Sequence, residues 1–408
     1  MTIDPFLAPT ALALAVIFAT GLLLNLFRQP HVIAYILAGV LLGPSAIGLI
    51  QDGEPVQRLG SLGVTLLLFF VGMETHPMRL IKGWRVSVAG TVFQIGISVA
   101  LSFGIGALFG WSVERALLLG FVISLSSTAV VLNLLQTDGE LTSQFGQDTV
   151  GVLIVQDIAA IAMIIALGFF VTGAASLSPT ALGAQIAGGL ALVALIVWVA
   201  LGRPIRLPFA ASIANAPELQ VFGALTLCFG LGWLAAMLGL STAIGAFAGG
   251  LIVGGARATQ WVSSSLAPFR TVFLGLFFVS IGLLLDLRFI VERALPIAGL
   301  VAALLLSSMV FNTLTYRIAG YGWKQSTYAG ALLAQPGEFS FVLAAIGAGM
   351  GIITEAGYQL SLSVIAISLA ISPVHVQLTR RLLYRSRVDT LSNTLSPVPP
   401  RVPDRPES

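Results

Sequence analysis

Charge is what this 408-residue chain has least of: Asp, Glu, Lys and Arg make up 9% of it, against about a quarter in soluble domains. With 57% hydrophobic residues it cannot build a water-facing surface, and it reads as an all-α polytopic membrane protein. Its one cysteine, Cys228 in the apolar run LTLCFG, excludes an internal disulfide and reads as a small buried hydrophobe. Of the three histidines, His31 and His375 look interfacial and have no partners at metal-ligand spacing. No nucleophile elbow, phosphate loop or His/Cys cluster is present, so an enzyme is not expected and no cofactor is called for. The formal charge of +3 is spread through short loops, which argues against a nucleic-acid partner.

What the chain does have is a train of apolar runs. A helix needs about 20 residues to cross a hydrocarbon core ~30 Å thick. That window gives about thirteen spans, near 6–26, 32–50, 59–73, 86–109, 116–135, 149–170, 181–201, 219–237, 242–254, 269–285, 294–315, 327–350 and 358–378. The first run lacks a basic lead and a cleavage site, so it is read as a permanent span rather than a signal peptide. Basic residues gather in alternate loops, among them Arg79, Lys82 and Arg85, then Arg257 and Arg270, then Arg380, Arg381, Arg385 and Arg387. The positive-inside rule then puts the C-terminus in the cytoplasm, and an odd span count puts the N-terminus outside. The last residues, ending TLSPVPPRVPDRPES, are proline-rich and too poor in apolar residues to fold.

The sequence repeats itself. LFFV stands at Leu68–Val71 and again at Leu276–Val279, an offset of 208 (276 − 68). AGVLLG at Ala38–Gly43 has its counterpart in GGLIVG at Gly249–Gly254, an offset of 211 (249 − 38). Seven spans separate the partners, and an odd separation means that the copies enter the membrane in opposite directions. This is the inverted-repeat plan of secondary transporters. It divides the chain into a first repeat of six spans (1–172), a linker span with its loop (173–216), a second repeat of six spans (217–384) and a cytoplasmic tail (385–408).

Polar residues inside the spans mark the site. Asp157 lies in TVGVLIVQDIAAIAMIIALGFF, residues 149–170, where every other residue is uncharged. An acid at mid-membrane costs roughly 2.5–3.5 kcal/mol on insertion scales, so it is a functional candidate, here for a cation or a proton. The repeat directs attention to spans five and twelve. The first contains Ser124-Leu125-Ser126-Ser127-Thr128 and the second Gln335-Pro336-Gly337-Glu338-Phe339-Ser340 at the matching depth. Pro336 removes a backbone donor and Gly337 relaxes the chain, which predicts a helix break. The hydroxyls of Ser126, Ser127 and Thr128 compete with the helical ladder more weakly and alone predict only a bend. Paired discontinuous helices are the best sequence pointer to a transporter site.

SLSSTAVVL in span five, VLIVQDIAAI in span six and AQPGEFSFVL in span twelve together resemble the monovalent cation:proton antiporter-2 family. Within it, Gln156-Asp157 and the GEF motif are similar to the Kef-type potassium:proton branch. The likeness covers residues 6–383. It implies a thirteen-span antiporter fold with a dimerisation domain and a core domain, two crossed unwound helices beside the ion-binding aspartate, a homodimer, and a place in a bacterial inner membrane. Asp157 matches that aspartate, and Gln156 the position before it. Ser307, Ser308 and Asn312 stand where some relatives carry a basic residue, which favours one proton for one cation. Kef-like proteins also carry a C-terminal nucleotide-binding domain. No GxGxxG unit follows the last basic cluster here, so gating by such a domain in this chain is not expected, and a regulator would be a separate or removed piece.

The chemistry then follows from one carboxylate. A proton or a monovalent cation neutralises it, whereas both together would be unfavourable in low dielectric, so exchange is obligatory. Oxygen ligands are expected from Asp157, the Ser126–Thr128 hydroxyls, Gln156 and carbonyls freed by the breaks. The cargo is K⁺ or Na⁺ against H⁺, with K⁺ favoured by the likeness at Gln156, and a K⁺ channel-like pore is a further alternative. Glu338 reads either as a partner of the second half-helix dipole or as part of the ion path. Asp148 reads as a helix-start acid or as part of a cation funnel with Asp138 and Glu140. Asn133 reads as an interhelical hydrogen-bonding group.

Overall fold

The computed structural model describes residues 7–27, 29–50, 53–74, 85–172, 216–238, 242–255 and 260–384, with scattered residues of 187–198. The tail 385–408 and most of the expected linker span 181–201 lie outside them, as do His76, Arg79, Lys82 and Arg257. The described residues form fifteen helices. In the first half these are α1 (Leu7–Leu26), α2 (His31–Leu42), α3 (Gly53–Glu74), α4 (Gly90–Phe109, entered through a π-helical turn at Arg85–Ala89), α5 (Val113–Ser124), α6 (Thr128–Thr137) and α7 (Gln144–Thr172). In the second they are α8 (Pro217–Met237), α9 (Thr242–Gly255), α10 (Gln260–Leu284), α11 (Leu287–Glu292), α12 (Ala294–Ile318), α13 (Trp323–Leu332), α14 (Glu338–Gly349) and α15 (Glu355–Tyr384). Among them α4, α7, α8, α10, α12 and α15 are long and apolar enough to cross a membrane, and α2, α9 and α14 are apolar but shorter.

Local chemistry sets the ends. Ser112 caps α5 by accepting from the Arg115 amide, Pro217 opens α8, and Asp286 caps α11 through the Arg288 and Phe289 amides. Gly110 closes α4 at φ +65° and Gly320 follows α12 at φ +98°, a backbone region that costs glycine little. Several expected boundaries move, among them those of spans two and ten. Span two stops at Leu42, because Gly43 caps it onto Gly39 O and the chain turns through Gly48 at φ +68°. Span ten begins at Gln260 rather than 269 and runs through Pro268, so Arg270 is not the loop residue it was read as but part of the helix.

The helices pack as two groups of different character. In one, α1, α2, α3, α8, α9 and α10 meet through an apolar interior that includes Leu66, Phe69, Phe70, Cys228 and Leu266. Glycines let backbones touch: a Cβ on Gly39 would lie 2.8 Å from Gly282 Cα, and one on Gly72 would lie 3.0 Å from Gly250 Cα. In the other, α4 to α7 and α12 to α15 bury many polar side chains, among them Gln94, Gln156, Asn312 and Gln335. The outer faces carry exposed apolar residues such as Leu108, Leu295 and Ile318, suited to lipid.

Contacts repeat at the sequence offset. Gly39 on α2 meets Gly282 on α10, while Gly250 on α9 meets Gly72 on α3, and the offsets are 211 (250 − 39) and 210 (282 − 72). Gly120 on α5 lies against Val99 on α4, and Gly330 on α13 against Met309 on α12, both offset by 210 (330 − 120 and 309 − 99). These contacts are therefore related by the same shift as the sequence matches.

Candidate ion-binding site at the crossed helix breaks

Both interruptions are present. α5 ends at Ser124 and α6 begins at Thr128, while α13 ends at Leu332 and α14 begins at Glu338. The hydroxyl-rich stretch does more than bend: Leu125 and Ser127 have extended backbones, at φ −97°, ψ 129° and φ −77°, ψ 108°. The reason is a partner that local sequence does not show. The breaks cross as a one-residue antiparallel bridge between Ser126 and Pro336. Ser127 N donates to Gln335 O at 3.2 Å and Gly337 N donates to Leu125 O at 3.1 Å. These two bonds map onto one another under a shift of 210 (335 − 125 and 337 − 127). Backbone groups that would be orphaned in the membrane are thus satisfied by protein, as burial at that depth demands. Gly337 is required by space, because a Cβ there would lie 2.5 Å from Ser126 O.

Side chains lock the crossing. Ser126 Oγ donates to Leu333 O at 2.7 Å, and Ser340 Oγ donates to Val122 O at 2.7 Å. Ser127 caps α6, its hydroxyl accepting from Val130 N. Gln156 Oε1 accepts from Ser126 N at 2.9 Å, and Gln156 Nε2 donates to Gln94 Oε1 at 2.8 Å. Most carbonyls freed by the breaks therefore already accept a hydrogen bond. Two fully buried oxygens do not: Asn312 Oδ1 on α12 and Gln335 Oε1 in the second break are without a hydrogen-bonding partner.

Asp157 is next along α7. Its two carboxylate oxygens lie 3.4 and 3.3 Å from Thr128 Oγ1, which donates to them, and the residue is partly exposed. Thr128 is the first residue of α6, so the positive end of that half-helix faces the acid. The fold brings Asp157, Gln156, Ser126, Ser127 and Thr128 to one crossing. Of the three hydroxyls, that of Thr128 reaches the carboxylate, while those of Ser126 and Ser127 are engaged with backbone.

The remaining candidates lie further out. Glu338 occupies the first turn of α14, after Gly337. The α10 and α14 helices touch through the edge-on rings of Phe278 and Phe341. Asp148 lies about 14 Å along α7 from Asp157. Its oxygens accept from the Tyr321 hydroxyl and from Gln144 Nε2, the latter at 2.9 Å. Burial pushes the Tyr321 phenol up, and the neighbouring Asp148 carboxylate adds to this, so Tyr321 stays a donor. Asp138 accepts from the Tyr328 hydroxyl and from Arg380. The side chain of Asn133 lies outside the described residues. Gln94 is a functional candidate that sequence reasoning missed. A lone amide in the uncharged run 86–109 was the available signal for Gln94.

The profile of the transmembrane sodium/hydrogen exchanger family matches residues 12–379. This chain belongs to that family. Among curated relatives it is 36% identical over 370 residues to a protein named "Iron transporter MagA" from Paramagnetospirillum magneticum, covering 91% of this chain and 84% of the relative. It is 34% identical over 362 residues to KefC of Salmonella typhimurium, a glutathione-regulated potassium-efflux protein, with 86% of this chain covered and 57% of KefC's length. The sodium proton antiporter MjNhaP1 of Methanocaldococcus jannaschii has the same fold, with a TM-score of 0.62 at 17% identity over 94% of this chain and 97% of that one.

Proposed function

We propose that this chain exchanges a monovalent cation, K⁺, for H⁺ across the membrane in a one-for-one, electroneutral cycle centred on Asp157. One observation carries the reading: a partly exposed carboxylate faces the Thr128 hydroxyl and the start of α6 at the point where two broken helices cross. A proton and a cation both neutralise this group, and a second positive charge beside it would be repelled at low dielectric. Occupancy by one therefore expels the other. The hard oxygens of Asp157 and Thr128, with water, suit an alkali ion. The likeness to KefC favours K⁺ over Na⁺. A single carboxylate balances one positive charge, which weighs against a divalent iron cargo.

In this reading 1–172 and 217–384 are inverted repeats about the linker 173–216, and the polar helix group moves against the apolar one to expose the site alternately. The chain works as a homodimer in a bacterial inner membrane, with its C-terminus in the cytoplasm. The test is reconstitution into liposomes with an internal pH dye and serial addition of K⁺, Na⁺, Rb⁺, Li⁺ and Fe²⁺. K⁺-driven proton movement is expected, with its loss in Asp157→Asn. Near-normal exchange by that variant would remove Asp157 from the mechanism, and K⁺ flux without proton movement would make the protein a pore.

A further inference from the structure

Gln94 lies on α4, 2% exposed, and touches the first break at one remove from Asp157. Its Nε2 donates to Ser124 O, the last carbonyl of α5, at 3.0 Å. Its Oε1 accepts from Gln156 Nε2 at 2.8 Å, and Gln156 Oε1 accepts from Ser126 N at 2.9 Å. The two amides form a closed strut: Ser124 and Ser126 are gripped from outside by groups on α4 and α7, with every donor and acceptor of known partner matched. Two buried amides are an expensive way to fill space, because removing either leaves the other unsatisfied.

The second break is braced differently. The contact of Val99 with Gly120 maps onto that of Met309 with Gly330, so Leu304 on α12 occupies the place of Gln94 (304 − 94 = 210). Leu304 is buried and apolar, and α12 meets the second break through Asn312, whose Nδ2 donates to Leu333 O at 3.4 Å and whose Oδ1 meets no second amide. At the second crossing α12 gives the break a single amide bond, whereas the acid-bearing crossing has two amides linked to one another. The difference falls on the side where the ion is handled.

We propose that Gln94 is a positioning residue that sets cation preference. Through Gln156 it fixes the width between Asp157 and the Thr128 hydroxyl, and so decides which dehydrated ion fits. This rests on the reading of Asp157 as the exchange site. A rigid strut favours one ionic radius, and a slack one lets the site close around smaller ions or open for larger ones.

The test uses the full-length protein in liposomes with a pH dye, comparing K⁺, Na⁺ and Rb⁺. Gln94→Met keeps volume and removes the strut. It is expected to raise the apparent KM for the preferred ion about five- to tenfold, as loss of a buried hydrogen bond at a binding site does, and to flatten the order of ions while maximal rate holds. Gln156→Met is expected to do the same. The double variant should be no worse than the worse single one, since both cut one chain. Thr91→Val, which loses hydroxyl bonds to Ser87 O in the turn that enters α4 and, at 3.5 Å, to Val152 O on α7 away from the break, is the control for mere loss of stability and should leave the ion order unchanged. Should Gln94→Met fail to assemble, Gln156→Asn, too short to span both partners, reads the same strut with the same expected loss of preference. An unchanged ion order and KM in an assembled strut variant, or a change shared by Thr91→Val, overturns the proposal. A parent protein that exchanges no cation for protons overturns the exchange reading first, which distinguishes the two failures.

Discussion

At the first break, Leu125 to Ser127 run extended opposite α7, with its acid Asp157 and the amides of Gln156 and Gln94. At the second, Leu333 to Gly337 lie opposite α15, which carries no acid after Glu355, and beside Asn312, whose Oδ1 is unpartnered. The backbone solution is shared, down to two hydrogen bonds related by one shift. The attached chemistry is not. Inverted repeats thus supply a scaffold that satisfies unwound backbone inside the membrane, and side chains from one copy alone turn it into an ion site. The means of breaking also differ. Pro336 and Gly337 carry the break locally, whereas the serines depend on bonds from the partner.

Substitutions on either side of this comparison separate its parts. The largest effect is expected from Asp157→Asn, with exchange lost and the fold kept, because the Thr128 hydroxyl still has an acceptor; dye-reported proton movement and size-exclusion behaviour check both halves. Gly337→Ala comes next. Its Cβ would lie 2.5 Å from the backbone oxygen Ser126 O, so the crossing must shift, at a cost of about 1–3 kcal/mol readable as a lower Tm and a fallen rate. If this variant is as stable and active as the parent, the close approach of the two breaks is not needed. Thr128→Val removes the hydroxyl donor to Asp157 and keeps shape. It is expected to raise the apparent KM for the cation about fivefold with little change in Tm. The smallest effect belongs to the helix ends away from the site. Tyr328→Phe deletes a hydroxyl bond to Asp138 and should lower stability by about 1 kcal/mol without moving the KM. A KM change there would place the Asp138 cluster on the ion path.

Much of this was legible because the chain is so apolar. Against 9% charge, Asp157 stands out at once, and the Pro336-Gly337 pair signals its own break. The repeat offset, read from two short apolar matches, paired spans five and twelve, and the family resemblance implied that their breaks cross. What could not be read was anything that depends on a bond across 200 residues. The serine stretch has no strong breaker, and its full interruption appears only with Gln335 and Gly337 opposite. Gln156 was read as an ion ligand, yet both ends of its amide are engaged in bracing Ser126 and Gln94. Gln94 itself looked like one polar residue in an apolar span. Arg270 was assigned to a loop because Pro268 and the serines before it mimic a boundary, although membrane helices tolerate proline.

The central claim is that one carboxylate serves a proton or a cation, never both. Calorimetric titration of K⁺ into purified protein, repeated in buffers of different protonation enthalpy, counts protons released on binding. The account predicts one proton released per cation bound near the pH at which the site titrates, and none in Asp157→Asn. Cation binding that releases no proton from the parent protein would contradict it.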